Sequence, residues 1–126
     1  MFGWRERRRV SAFRRVGADR AAACAVIHGA AFAHPWSIAE FEALLLAPEI
    51  AADGAFDPRG EALRGFILSR CAADEAEILT LAIETRERRV GLGGGLLATH
   101  LAHLAGLGGK GLFLEVDEQN KAARAL

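Results

Sequence analysis

Glu77-Ile78-Leu79-Thr80-Leu81-Ala82-Ile83-Glu84, followed by Arg88-Arg89-Val90-Gly91-Leu92-Gly93-Gly94-Gly95 and Leu96-Leu97-Ala98, is the stretch on which the fold turns. It reads as a buried strand, a short charged loop, a glycine-rich turn and the start of a helix. The first N–H groups of a helix have no intrahelical acceptor, and the macrodipole adds partial positive charge there. Glycine admits a ligand close to the backbone. Arg88 and Arg89 stand at the mouth, and a guanidinium grips phosphate with two donors at once. The pattern predicts a cradle for a diphosphate-bearing small molecule.

The form of the glycines narrows the choice. A dinucleotide fingerprint needs G-x-G-x-x-G, and Leu96 stands where its last glycine belongs. A P-loop needs Lys-Ser or Lys-Thr after the glycines, and neither follows. What is present is Arg88-x-x-Gly91-x-Gly93, with the basic residues ahead of the glycines.

Working outward, 126 residues make one domain with a real core and no room for a second. Sixteen Lys and Arg balance sixteen Asp and Glu, so no overall field favours nucleic acid or membrane. The charge is uneven: Arg5, Arg7, Arg8, Arg9, Arg14 and Arg15 crowd the N-terminus, where they read as solvated flanking charge rather than an RNA-binding arm. Residues 1–9 are read as a basic tail and 10–126 as the domain. Cys24 and Cys71 lack metal-ligand spacing and read as buried, inert thiols of a reducing cytosol. No apolar run is long enough to span a bilayer, and the arginine-flanked run at Ala21–Ile27 is too amphipathic for a signal peptide. The expected location is cytoplasmic.

In order, the chain predicts a strand over Val10–Phe13 and a helix capped by Asp19 that runs to about Phe32. His34-Pro35-Trp36 interrupts it. Ser37-Ile38-Ala39-Glu40 has the form of a capping box opening a second helix, and Pro48 closes that helix. Strands follow at Ile50–Phe56, Leu63–Cys71 and Ala76–Ile83, with turns at Asp57-Pro58-Arg59-Gly60 and Ala73-Asp74-Glu75. A helix from about Gly93 to Leu107 stops at Gly108-Gly109. A strand over Gly111–Val116 and a helix capped by Asn120 end the sequence. The result is an α/β protein, a mixed sheet with helices on both faces: the middle hairpins antiparallel, the unit from Glu77 to Val116 a parallel crossover.

This order and four local stretches resemble the GNAT superfamily of N-acetyltransferases, within it the RimI-type ribosomal-protein alanine N-acetyltransferases. The stretches are Ala31-Phe32-Ala33-His34-Pro35-Trp36-Ser37, Ile78–Ile83, Arg88–Gly93, and Leu114-Glu115-Val116 with Asn120–Leu126. The resemblance implies the acyl-CoA N-acyltransferase fold, acetyl-CoA as co-substrate and no metal. The acceptor it implies is a protein N-terminal α-amine, such as that of a ribosomal protein. It implies that Leu81, Ala82 and Ile83 offer backbone groups to the pantetheine arm. Arg89, Val90, Gly91, Leu92, Gly93 and Gly94 would hold the pyrophosphate, with Arg88 at the entry and Asn120 further along the CoA chain. Glu115 corresponds to the general base. From periodicity alone Glu115 could equally face solvent; Glu84 is an alternative base or a solvated strand end.

The resemblance also implies a departure. In the family the last helix runs into a Tyr that protonates the leaving thiolate, and then into further strands. The sequence stops at Leu126 and contains no Tyr. It therefore reads as C-terminally truncated, with the last strands lacking; the alternatives are a non-catalytic CoA-binding or interaction module, or completion by a second chain. His100 and His103, at i and i+3, show no carboxylate or cysteine in register, so no metal site is expected there. His28 and His34 read as structural, and Trp36 as packing under a turn or lining an acceptor pocket. Ser11, Ser37 and Ser69 lack a nucleophile-elbow context.

Overall fold

Alternation along the strands sorts the side chains into two layers, and the helices cover them. The computed structural model describes residues 12–59, 61–85 and 91–108, and the backbone of 111–114. Its strands are β1 (Ala12–Arg15), β2 (Ile50–Phe56), β3 (Leu63–Ala72), β4 (Glu75–Ile83) and β5 (Gly111–Leu114). Its helices are α1 (Ala21–Ala31), α2 (Ile38–Leu46) and α3 (Leu92–Gly106). They form one sheet in the order β1-β2-β3-β4-β5. Pairing is antiparallel from β1 through β4, and parallel between β4 and β5.

On one face Ala52, Phe56, Phe66, Leu68 and Ala82 pack with Cys24 and Ile27 of α1 and Phe41 of α2. On the other, Ala55, Ile67, Leu81 and Ile83 pack with Leu92 and Leu96 of α3. The two-residue period of a strand makes these faces opposite, so helices cover both sides as the sequence predicts. None of the described helices is long and apolar enough to cross a membrane.

The capping box at α2 forms as read: Ser37 Oγ accepts from Glu40 N–H at 3.1 Å, and Glu40 Oε1 accepts from Ser37 N–H at 3.0 Å. The Ser37 N–H holds the Glu40 carboxyl below its ordinary value. The helix ends at Leu46, and Ala47 is extended because the following Pro48 disfavours helical geometry there. At the next turn Asp57 Oδ1 accepts from the N–H groups of Arg59 and Glu61, at 3.0 and 3.2 Å. Gly108, at φ 91°, closes α3 as a left-handed glycine.

Three readings are corrected. Asp19 does not cap α1: it sits in a 3₁₀ turn, Ala18–Arg20, that leads into the helix, and its side chain makes no capping bond. Strand β1 runs to Arg15 instead of stopping at Phe13; Arg14 and Arg15 stay exposed, and the Arg14 guanidinium lies 3.8 Å over the Phe56 ring. Cys71 is only half-buried, whereas Cys24 is fully enclosed and burial pushes its thiol up to about 12.

Candidate functional site

Gly91 caps α3 in the left-handed region, at φ 80° and ψ 8°, where a side chain would cost roughly 1–2 kcal/mol. That one conformation turns the chain into the helix. Gly95 N–H is the first to find an intrahelical acceptor, Gly91 O at 3.2 Å. Among the described residues the N–H groups of Leu92, Gly93 and Gly94 have no intrahelical acceptor, as the first turn of a helix requires. Leu92 is buried against the sheet and fixes the turn's position, while Gly91 and Gly94 are exposed. A Cβ on Gly94 would meet nothing within 4 Å, so packing within the described residues gives no reason for a glycine there. One on Gly95 would strike the Phe13 ring at 2.7 Å. The geometry fits an anionic group: the N–H groups of a first turn, the positive end of a 15-residue helix, and open space at Gly91 and Gly94 among the described residues. Arg88, Arg89 and Val90 lie outside the described residues.

Beside this turn, β4 carries a bulge. Leu68 pairs with Thr80 and Ser69 with Ile78, leaving Leu79 as the extra residue. The last described parallel pair, Ile78 with Leu114, comes immediately before it. A bulge bends its strand and re-aims the groups that follow. Those groups are Leu81, Ala82 and Ile83, all buried, which pair on one side with Ile67, Phe66 and Gly65. Thr80 adds an orphan: its hydroxyl is buried and has no hydrogen-bond partner among the described residues.

The sequence reading missed a cluster on the α3 side of the sheet. His100 Nδ1 lies 2.6 Å and His103 Nδ1 2.8 Å from the same oxygen, Asp53 Oδ2 on β2. Ser69 Oγ on β3 lies 2.7 Å from His100 Nε2. The expectation that no carboxylate stands in register with the two histidines is thus overturned. Asp53 is remote in sequence, and the sheet brings it under the helix. With Asp53 ionised, Oδ2 accepts from both Nδ1–H groups, and Nε2 of a neutral His100 accepts from the Ser69 hydroxyl. Burial pushes the Asp53 carboxyl up, but the bonds and charges of the two imidazoles outweigh it and hold it below its ordinary value. Ser69–His100–Asp53 has the connectivity of a nucleophilic triad, yet Ser69 and His100 are 0% exposed, and no substrate reaches that hydroxyl. The available signal was a charged residue, Asp53, in the middle of an otherwise apolar strand.

Among the remaining candidates, Glu115 and Asn120 lie outside the described residues, as does Ser11. Glu84 is half-buried, and its N–H donates to Arg64 O at 2.8 Å. His28 is structural: it stacks on Phe32 and Trp36 at centroid distances of 4.2 and 4.7 Å, and its Nδ1 accepts from Trp36 N–H. Trp36 is accordingly packed under the turn, beside Phe41.

Residues 22–126 match the Acetyltransferase (GNAT) family. The chain belongs to that family, and its class of activity is N-acetyl transfer. The particular likenesses are these. The ribosomal-protein-S18-alanine N-acetyltransferase of Escherichia coli is 25% identical with a TM-score of 0.79, over 91% of this chain and 72% of that one. The ribosomal-protein-alanine N-acetyltransferase of Brucella melitensis biovar Abortus 2308 is 15% identical with a TM-score of 0.74, over 92% and 87%. An aminoglycoside N-acetyltransferase in complex with CoA is 14% identical with a TM-score of 0.73, over 91% and 82%. At the last two identities the likeness is one of fold. No curated protein sequence matches the chain.

Proposed function

We propose that this chain, as a single domain over residues 10–126 behind a basic tail, transfers the acetyl group of acetyl-CoA to the N-terminal α-amine of a protein, a ribosomal protein foremost. The observation that carries the acceptor is the 25% identity to the Escherichia coli S18-alanine enzyme across 91% of the chain. The observation that supports the co-substrate is the first turn of α3, with its left-handed Gly91 and the open approach at Gly94. Acetyl-CoA would supply an acyl group already activated as a thioester. The N–H groups of Leu92, Gly93 and Gly94 would hold the pyrophosphate, with Arg88 and Arg89 adding charge at the entry. The backbone of Leu81–Ile83, re-aimed by the bulge at Leu79, would run beside the pantetheine arm, with Asn120 further along it. Glu115 would take the proton from the attacking amine through water. A thiol of ordinary pKa, about 8.5, is a fair leaving group as thiolate near neutrality. The reaction belongs in the cytoplasm, where ribosomal proteins and acetyl-CoA meet.

Acetyl transfer to a peptide with a free N-terminal alanine tests this. An N-terminally blocked lysine peptide and an aminoglycoside serve as competing acceptors. Turnover confined to the free N-terminus is expected. A Glu115→Gln change should lower kcat by roughly 10²–10⁴ while acetyl-CoA binding persists. Preferred turnover of the aminoglycoside or the lysine would overturn the acceptor, and unchanged kcat in Glu115→Gln would overturn the base.

A further inference from the structure

The buried cluster beneath α3 lies apart from the cofactor turn. His100 is nine residues along the helix from Gly91, roughly 13 Å at 1.5 Å per residue. We propose that Asp53, His100 and His103 form a binding site for a borderline divalent metal ion, zinc first, that clamps α3 to the sheet.

Convergence is the first support. The ligand atoms of all three residues lie within 4.8 Å of one another, and both imidazoles turn the same ring nitrogen, Nδ1, toward the same carboxylate oxygen. The second is the shell behind the ligands. His100 Nε2 is held by Ser69 Oγ at 2.7 Å, and a metal-ligating imidazole ordinarily has its other nitrogen fixed in this way. In the metal-bound state Nδ1 gives its lone pair to the ion, and Nε2–H donates to the Ser69 oxygen. The third is access. His100 and Asp53 are buried, but the His103 side chain is 11% exposed, so the cluster has one side toward the surface where an ion can enter and a water can complete four ligands.

The donor set selects the metal. Two imidazoles and one carboxylate suit zinc, cobalt or nickel; calcium and magnesium want oxygen ligands throughout. Metal–ligand distances of about 2.0–2.1 Å put tetrahedral ligand atoms roughly 3.3 Å apart. The present contacts of 2.6 and 2.8 Å therefore have to open by about 0.7 and about 0.5 Å, within reach of a rotation of the Asp53 carboxylate. The ion would bind between β2 and the C-terminal half of α3, where the sheet otherwise buries a carboxylate at a cost. Its effect is on the stability of the domain and on the seating of α3, whose other end carries the Gly91 turn. The site stands on its own geometry and does not depend on which amine the enzyme acetylates.

The test is metal titration of the full chain after chelator treatment and dialysis. Cobalt(II) is followed by its visible ligand-field bands, and zinc by displacement of those bands and by thermal unfolding. One equivalent of cobalt per chain is expected, displaced by zinc. A thermal midpoint raised by about 5–10 °C at a hundredfold excess of zinc over its Kd is expected too. Both effects should vanish in His103→Ala and in His103→Gln, the second keeping a hydrogen-bonding side chain beside Asp53 so that the fold is retained. The exposed His34→Ala serves as the control and should bind as wild type. Folded wild type without saturable one-to-one binding would overturn the site, leaving a hydrogen-bonded cluster only. So would cobalt bands that survive in a His103 variant shown to be folded by circular dichroism.

Discussion

Replacing Gly94 and Gly95 by alanine, one at a time, separates what the chain needs for its fold from what it needs for a ligand. Each glycine sits in the first turn of α3, and in a helix alanine is more favourable than glycine by up to about 1 kcal/mol. At Gly94 the added methyl meets nothing within 4 Å, so the whole of that gain is available. Gly94→Ala should therefore stabilise the unliganded protein by about 0.5–1 kcal/mol. At Gly95 the methyl would lie 2.7, 3.1 and 3.4 Å from three atoms of the Phe13 ring. Overpacking of that kind costs typically 1–3 kcal/mol, which exceeds the helical gain, so Gly95→Ala should be destabilising. Urea unfolding of the two variants beside wild type measures both signs. Titration calorimetry with acetyl-CoA supplies the second axis. If the pyrophosphate rests on the N–H groups of this turn, Gly94→Ala obstructs the approach and weakens binding tenfold or more, about 1.4 kcal/mol, in a protein that is more stable than before. A Gly94→Ala variant that is stabilised and binds acetyl-CoA as wild type does would refute the assignment of the turn to the pyrophosphate.

Two other outcomes follow from the buried polar groups. Asp53→Asn should cost about 2–3 kcal/mol in urea unfolding, because the two Nδ1–H groups lose their charged acceptor. The folded Asp53 carboxyl sits below its unfolded value of about 3.9, so its contribution is complete above that pH and disappears as pH falls through the folded value. An acid-unfolding limb whose steepness is unchanged in Asp53→Asn would contradict this. Thr80→Val should be neutral or stabilising by up to about 1 kcal/mol without ligand, since it replaces a buried hydroxyl that has no partner among the described residues. A loss above 2 kcal/mol would mean the hydroxyl is satisfied in the fold.

Local patterns settled most of the architecture. The Ser37–Glu40 box, Pro48 after α2, the left-handed Gly108 and the turn at Asp57 all act within a few residues, and each forms where the residues put it. The glycine-rich turn is of the same kind. Gly91 needs only its own freedom at positive φ, and the donors of Leu92–Gly94 follow from being first in a helix. Two features depended on partners far along the chain. Leu79 becomes a bulge only because β3 pairs with Ile78 and with Thr80 while leaving Leu79 out, and no residue type marks that position. Asp53 meets His100 and His103 across about fifty residues because β2 lies under α3, turning three unremarkable polar side chains into one buried cluster. Arg14 likewise meets the face of Phe56 only once β1 pairs with β2, while staying exposed. Sequence by itself determined most of the elements and the left-handed glycine turn before α3, since hydrogen bonds and backbone torsions there are local. Tertiary structure alone decided which polar groups share a desolvated space, because that depends on which strand comes to lie beneath which helix.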